Sequence, residues 1–417
     1  MEKRLYSELI RLGVHPDCID AEALMNAVSE HMDRGLNGET GSMMMIPAYL
    51  YGEGSIIEGE PVAVIDAGGT NLRAASVAFT KEGPRVLRMA KSAMPGTSGR
   101  ITADEMFDEF VARILPFMPD SGSLALCFSY AFEAMPDGEA RIITMSKEVE
   151  VEDAPGTFIV DGMKKAFLRA GYAKEPHITV VNDTAAVLYS ALASGEREAV
   201  GFILGTGMNT AYFEKTSRIT KIEPVEHDRM MINMESAYFS DAPAGPVDLL
   251  IDSRSRNRGE AVFEKMLSGA YLGKVAAACA EEFASAGFLS ENARKLIPDE
   301  FRIADMSCFL KEGSGPVADM CGCGDDEETL RELFRMIEIR AGKMTSALVA
   351  AVIKRIKENG FEGPVPVAVN GSTVLLNELI LGSFTEGLRR YAGENAFRIV
   401  TTENDTLFGS AAAAFLG

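Results

Sequence analysis

The chain is poor in the residues from which metal, redox and disulfide sites are built. Its six cysteines, Cys18, Cys127, Cys279, Cys308, Cys321 and Cys323, are scattered, and only Cys321-Gly322-Cys323 is closely spaced. One such pair, with no second pair and no histidine beside it, is a poor zinc signal and offers no disulfide framework. Reduced cytosolic thiols with no shared task are the plain reading. The four histidines, His15, His31, His177 and His227, fall outside every motif below and show no ligand spacing. Long apolar runs are also missing: none reaches the ~20 residues of a membrane span. The opening Met-Glu-Lys-Arg lacks the apolar core of a signal peptide. A soluble, cytoplasmic protein is expected. Positive charge is scarce too, with 41 Lys and Arg against 61 Asp and Glu and a formal net charge of −20. That field repels nucleic-acid phosphate and anionic membrane, so neither is expected as a partner. Any bound phosphate must be held locally, by backbone amides, a metal ion and a few placed cations.

What is present is an ordinary globular composition, 47% hydrophobic and 24% charged, which can bury a sizeable core. At 417 residues, two domains with a cleft between them are expected. The 22 methionines read most simply as adaptable core fillers. Helical spacing covers 2–12 and 20–36, broken at Gly13 and at His15-Pro16-Asp17. Such a pair of helices could read DNA, but the segment is not basic. At Pro61 the pattern changes: Val62-Ala63-Val64-Ile65 is a buried-strand run, followed by Asp66-Ala67-Gly68-Gly69-Thr70-Asn71 and then alternation over 72–79. This is strand, glycine turn, strand. The same order returns in 199–204, Gly205-Thr206-Gly207-Met208-Asn209 and 210–214. Placing Asn71 over Asn209 superposes the two glycine turns, and an internal duplication is the economical reading. A strand at 178–181 ends in Asn182-Asp183-Thr184. Further strands are expected at 124–128 and 364–369, and helices at 103–116, 185–193, 260–285, 326–358, 373–391 and after Gly409. Strands mixed with helices in two similar halves mean an α/β fold.

Neither glycine turn is a P-loop, because no Gly-Lys-Ser/Thr follows. Neither is a dinucleotide fingerprint, because a strand rather than a helix comes next. What remains is a tight hairpin whose exposed amides can surround phosphate oxygens, with the Thr70 or Thr206 hydroxyl as a further donor. Asp66, near the end of its strand, can hold Mg²⁺ through water. For one turn alone an ordinary β-hairpin is the simpler explanation. A duplicated pair shifts the balance, since two hairpins across a pseudo-twofold axis can clamp a triphosphate from both sides.

That arrangement resembles the actin-like ATPase superfold, a duplicated ribonuclease H-like architecture with nucleotide bound between two related domains. Within it the chain resembles the hexokinases over nearly its whole length. Segment 42–49 (SMMMIPAY) is similar to the family's serine-methionine-leucine-proline entry segment, and 63–75 (AVIDAGGTNLRAA) to its first phosphate motif. Phe128-Ser129-Tyr130 with Ser146-Lys147 resembles the sugar-binding segment, 181–188 (VNDTAAVL) the catalytic strand end, and 205–214 (GTGMNTAYFE) the second phosphate motif. Asn233-Met234-Glu235 and 257–274 (NRGEAVFEKMLSGAYLGK) resemble two further sugar-binding stretches, Asn370-Gly371-Ser372 the adenosine motif, and Gly409-Ser410-Ala411-Ala412 the closing helix.

The resemblance implies ATP-dependent phosphorylation of a glucose-like hexose to hexose 6-phosphate, the first step of sugar use in glycolysis. Its partners would be the hexose and ATP, its cofactors ATP and Mg²⁺, and the oligomeric state stays open. Phosphoryl transfer needs alignment, charge neutralisation and a carboxylate to accept the proton. Asp183 is the best-placed candidate for that base; by spacing alone it could equally be the N-cap of the following helix. Sugar hydroxyls each donate and accept, which calls for amides and carboxylates. Asn182, Asp183, Asn209, Asn233, Glu235 and Glu264 match that need, with Ser129 and Ser146 adding smaller contacts. Lys147 would hold a ring oxygen and offset charge in the transition state. Taken singly, each is more often a solvated or capping residue, and their collective match to one pattern is the argument. The nucleotide would meet Asp66, Gly68, Gly69, Thr70, Asn71, Gly205, Thr206, Gly207, Gly371 and Ser372. A small domain is expected at 55–182 plus 401–417, against a large one at 1–54 plus 183–400.

Three departures from the family pattern bear on the choice of sugar: Tyr130-Ala131 in place of an aromatic followed by proline, Ser146 in place of threonine, and Asn257-Arg258-Gly259 without the intervening proline. A fourth bears on the nucleotide: Asn404-Asp405-Thr406-Leu407-Phe408 replaces a glycine-rich phosphate-facing loop. The alternatives are a sugar-sensing regulator without catalysis and a kinase for another sugar.

Overall fold

The apolar run after Pro61 forms β1 (Pro61–Ala67), buried along nearly its full length, as a strand with neighbours on both sides must be. The computed structural model describes residues 2–41, 43–145 and 149–417, so Ser42, Ser146 and Lys147 lie outside the described residues. Around β1 stand β2 (Asn71–Thr80), β3 (Gly83–Ala93), β4 (Ser123–Phe128) and β5 (His177–Val181). Their order is β3-β2-β1-β4-β5, antiparallel on the β2 side and parallel on the β4 side. The second sheet uses β6 (Val200–Leu204), β7 (Met208–Lys215), β8 (Arg229–Asn233), β9 (Val365–Asn370) and β10 (Phe397–Val400). Its order is β8-β7-β6-β9-β10 with the same directions, and the two-residue strand Ile46–Pro47 is added beside β8. The same five-strand topology therefore occurs twice.

The two glycine hairpins are not equal in length. Ala67 pairs with Leu72 across four residues, whereas Leu204 pairs with Met208 across three. No single offset superposes both arms of both hairpins, so the Asn71-over-Asn209 match corrects to a correspondence of hairpins rather than of residues.

Four helices matter below: α1 (Asp183–Leu192), α2 (Gly324–Glu358), α3 (Glu378–Tyr391) and α4 (Asp405–Leu416). α1 follows the first sheet but packs on β6 and β9 of the second, and α4 follows the second sheet but packs on β1 and β4 of the first. They cross where Gly409 meets Ala186; a Cβ at 409 would sit 1.7 Å from the Ala186 carbonyl oxygen. Their alanines and the inner faces of both sheets form one buried cluster. Helices Ala103–Ile114 and Ile159–Arg169 bury the outer face of the first sheet. The N-terminal helices Glu2–Leu12 and Ala21–Leu36, with α2 and α3, bury that of the second. Arg340 on α2 is fully buried, paired to Asp248 at 2.8 Å and donating to the Gly13 carbonyl at 2.9 Å, which ties the first turn of the chain to the long helix.

Two expected helices are broken. The 260–285 helix is interrupted by Ala261 at φ +48° and by the 266–271 turn, where the Gly269 and Ala270 amides donate to the Gly205 and Thr206 carbonyls at 2.8 and 3.1 Å. It resumes as Leu272–Ser285. The 373–391 helix splits at Asn377, whose Oδ1 caps α3 by accepting from Leu379 and Ile380. A hairpin of Ala131–Ala134 and Ala140–Thr144 adds to the expected elements. No described helix is long and apolar enough to cross a membrane.

Candidate active site

Because β1, β4 and β5 are parallel, their carboxyl ends share one edge, where ligands of such sheets gather. Asp66 lies near the end of β1, Ser129 just past β4, and Asn182 and Asp183 just past β5. Asn182 is the N-cap of α1, its Oδ1 accepting from the Thr184 amide at 2.9 Å, so Asp183 is the first helical residue. Asp183 Oδ1 accepts from the Thr184 amide and hydroxyl at 2.7 and 3.2 Å. Burial pushes the Asp183 carboxyl above the ordinary range, the Thr184 bonds pull it back, and the Asp66 charge raises it again.

On the second sheet, Asn209 of β7 and Asn233 of β8 come together with Glu235. Asn209 Nδ2 donates to Asn233 Oδ1 at 2.7 Å and to Glu235 Oε1 at 3.3 Å, and Asn233 Nδ2 donates to Glu235 Oε1 at 2.7 Å. Glu235 holds left-handed backbone, φ +52°, a conformation costly for a residue of its type and frequent at working sites. Glu264 reaches in from the broken helix, its Oε2 accepting from the Met208 amide at 3.0 Å. Burial raises the carboxyls of both Glu235 and Glu264, and the charges of Asp183 and Glu264 push Glu235 further in the same direction. A hollow of about 200 Å³ opens among Asn182, Asn233 and Glu235, with Pro47, Tyr130 and Tyr238 in its walls. Ser129 is half-buried and does not border that hollow.

The first glycine hairpin closes through the Gly68 amide on the Asn71 carbonyl at 3.0 Å, and its Gly68 carbonyl accepts from the Tyr130 hydroxyl at 2.7 Å. Gly69 and Thr70 form its tip, and Gly69 faces open space. In the second, the Gly205 amide donates to the Gly207 carbonyl at 2.9 Å, which leaves Thr206 at the tip. Thr373 Oγ1 donates to the Gly205 carbonyl at 2.8 Å, which brings the segment after β9 against the hairpin. Gly371, at φ +112°, passes so close that a Cβ would lie 2.2 Å from the Leu204 carbonyl oxygen. A Cβ at Gly207 would meet Glu264 Oε2 at 2.7 Å, so this glycine admits the glutamate.

Asp66 is engaged by residues that motif reading passed over. Its Oδ2 accepts from Arg73, with Nε at 2.8 Å, and from the Thr406 hydroxyl at 3.3 Å. Arg73 Nη2 also donates to Thr406 Oγ1 at 2.6 Å. Next to Thr406, Asp405 Oδ2 accepts from Asn370 Nδ2 at 2.5 Å; burial raises its carboxyl, against the pull of Asn370, and the Asp66 charge adds to the rise. Asp66 and Arg73 are direct cross-strand partners, a pairing readable from sequence once the hairpin register is known. Asp405 and Thr406 stand in the segment marked as a departure near the nucleotide, but their link to Asp66 carried no signal, because α4 reaches this edge only by tertiary packing.

Two family models, both described as hexokinase, match residues 17–192 and 199–416. Human hexokinase-3 is 26% identical over 93% of this chain and 44% of its own length. Human hexokinase-2 is 28% identical over 83% of this chain and 41% of its own length. The chain thus spans less than half the length of these curated relatives. Among solved structures, a Schistosoma mansoni hexokinase complexed with glucose superposes with a TM-score of 0.77 at 22% identity, covering 99% of each chain. A second hexokinase crystal structure gives 0.79 at 20% identity, covering 100% of each chain. At such identities these two matches carry the duplicated two-lobed fold. With the family's two models meeting the chain from residue 17 to residue 416, interrupted only over 193–198, the protein belongs to the hexokinase family.

Proposed function

We propose that this protein transfers the terminal phosphoryl group of ATP to a hydroxyl of a glucose-like hexose. The observation that carries the reading is the meeting of Asp183, half-buried at a strand tip, with the Asn209–Asn233–Glu235 cluster and Glu264, next to the second glycine hairpin. Family membership and the likeness to a hexokinase solved with glucose support the same substrate class.

The amides and carboxylates of Asn182, Asn209, Asn233, Glu235 and Glu264 bind and orient the ring hydroxyls, each accepting from or donating to one of them. Asp183 accepts the proton of the attacking hydroxyl; its raised carboxyl makes it a better base than an exposed aspartate. Ser129, and Ser146 and Lys147 beyond the described residues, complete the sugar side. The amides of Gly69, Thr70 and Asn71 and of Thr206 and Gly207 cradle the phosphates, Gly68 and Gly205 spending theirs on closing the two hairpins, while Gly371 and Ser372 border the nucleoside.

Among the described residues no group of three or more His, Cys, Asp or Glu side chains could hold a metal ion. A hydrated Mg²⁺ needs no such cage, since phosphates and waters fill most of its shell. Asp66, with Asp405 near it, fits that role, and Arg73 must give up Asp66 to make way. When bound, the ion supplies charge neutralisation across the transferred phosphates. The small domain at 55–182 plus 401–417 then closes on the remainder, excluding water that would otherwise accept the phosphoryl group.

A coupled ADP-release assay over a panel of hexoses tests the proposal. Sugar-dependent turnover is expected, with glucose among the best acceptors. Sugar binding without turnover would make the protein a sensor, and turnover confined to another acceptor class would move it to that class.

A further inference from the structure

Beyond the phosphate end, two cavities lie in series. The first, about 360 Å³, begins at Thr206 of the second hairpin, passes Ser372 and Thr373, and ends at Ser307 and Asn377. The second, about 430 Å³, begins at those same two residues and reaches Glu338 on α2. With the triphosphate at Thr206, the nucleoside runs outward along this line, and the edge of its base arrives where the cavities join.

Glu338 is unusual there. It is 1% exposed, and its Oε1 has no hydrogen-bond partner among the described residues. Burial pushes its carboxyl up to about 7, with the Asn377 side chain pulling the other way. Arg335, one turn earlier, is exposed and makes no ion pair with it. Lys311, in the same wall, is paired with Glu378 at 2.7 Å. Asn377 is held in place because its Oδ1 accepts from the Leu379 and Ile380 amides at 3.1 and 3.0 Å, which leaves its Nδ2 as the donor that holds the Glu338 carboxyl, with a second hydrogen to spare. A buried carboxylate oxygen without a donor is costly, and a ligand that brings an N–H to it gains what the protein alone forgoes.

We propose that Glu338 sets the base preference of the phosphoryl donor, its orphan Oε1 accepting from the exocyclic amino group of adenine while Asn377 Nδ2 donates to the adjacent ring nitrogen. The adenine edge offers that donor and acceptor pair. Hypoxanthine and guanine present a carbonyl oxygen where the amino group would be, acceptor against acceptor, and are disfavoured. This rests on the kinase reading for the direction in which the nucleotide lies.

The test is calorimetric binding of MgADP and MgIDP to the intact protein and to Glu338→Gln, alongside ATP and ITP turnover with the sugar. The unmodified protein should favour ADP by roughly tenfold or more, the value of one hydrogen bond to a charged group. In Glu338→Gln the amide can turn a donor toward the carbonyl, so the preference should fall several-fold, the N1–H of hypoxanthine still facing Asn377 Nδ2, in a variant that melts no lower than the unmodified protein. An unaltered preference in the folded variant overturns the proposal. So does equal binding of ADP, IDP and the 6-unsubstituted purine riboside diphosphate by the unmodified protein, a comparison that needs no variant. Should ADP be preferred through Glu338 while no nucleotide supports sugar phosphorylation, the proposed activity falls and this assignment stands.

Discussion

Asn182 and Asp183 are neighbours in sequence and divide two tasks that motif reading could not separate. Asn182 caps α1, so capping does not explain Asp183, whose Oδ1 instead serves the buried Thr184 hydroxyl and leaves Oδ2 for other work. Replacing Asp183 by Ala should lower kcat by roughly 10²–10⁴-fold, the usual worth of a positioned general base, with sugar affinity largely kept; steady-state kinetics and direct sugar titration check this. An unchanged rate would remove Asp183 as the base. The carboxyls of Asp183, Glu235 and Glu264 are all raised, chiefly by burial. A raised carboxyl means that the folded protein retains protons the unfolded chain has lost. Its contribution to stability therefore falls as pH climbs from the unfolded to the folded pKa. Hydroxyl donors from a sugar favour the ionised form, so sugar binding should expel protons and tighten as pH rises through that window. Titrations in buffers of different ionisation heat, carried from the ordinary carboxylate range upward, measure it; proton uptake on binding would contradict the assignment. That Asn209, Asn233 and Glu235 belong to one cluster was legible because each lies in a recognisable stretch. Arg73, Asp405 and Thr406 were not, since their bonds to Asp66 depend on strand register and on the path of α4.

At the level of elements, the glycine hairpins and their flanking strands were readable because period-two apolar runs around glycines leave few alternatives. The broken helices were not. Residues 260–285 keep helical composition throughout, yet the Gly269 and Ala270 amides are drawn to the second hairpin's carbonyls, and the chain breaks there to deliver Glu264 to the site. The α1–α4 crossing gives a sharper test. Because Gly409 leaves no room above Ala186, Gly409→Ala should cost about 1–3 kcal/mol by overpacking, read as a lowered urea midpoint. It should also weaken turnover, since α1 begins with Asp183 and α4 with Asp405. A variant as stable as the original would show that the helices can slide apart without harm.

For the whole molecule, two repeats of one topology exchange their last helices, so each sheet is covered by a helix that follows the other. The proposed sugar contacts come mainly from the second repeat, while Asp66 and the first hairpin belong to the first, and the proposed transfer requires the two to approach. Small-angle scattering should show a smaller radius of gyration when the preferred hexose is added, and ATP hydrolysis without sugar should remain low. A radius unmoved by saturating sugar would argue against closure. The amino-acid sequence by itself determined the α/β class, the duplication, the family and most candidate ligands of sugar and phosphate, because those are written in local periodicity and in short runs around glycine and asparagine. Only the tertiary structure decided that Asn182 rather than Asp183 caps α1, that Arg73 and Thr406 hold Asp66, and that one buried oxygen of Glu338 is left without a donor at the far end of the two cavities. The physical reason is that hydrogen-bond satisfaction and burial are properties of what distant segments bring together, on which local sequence is silent.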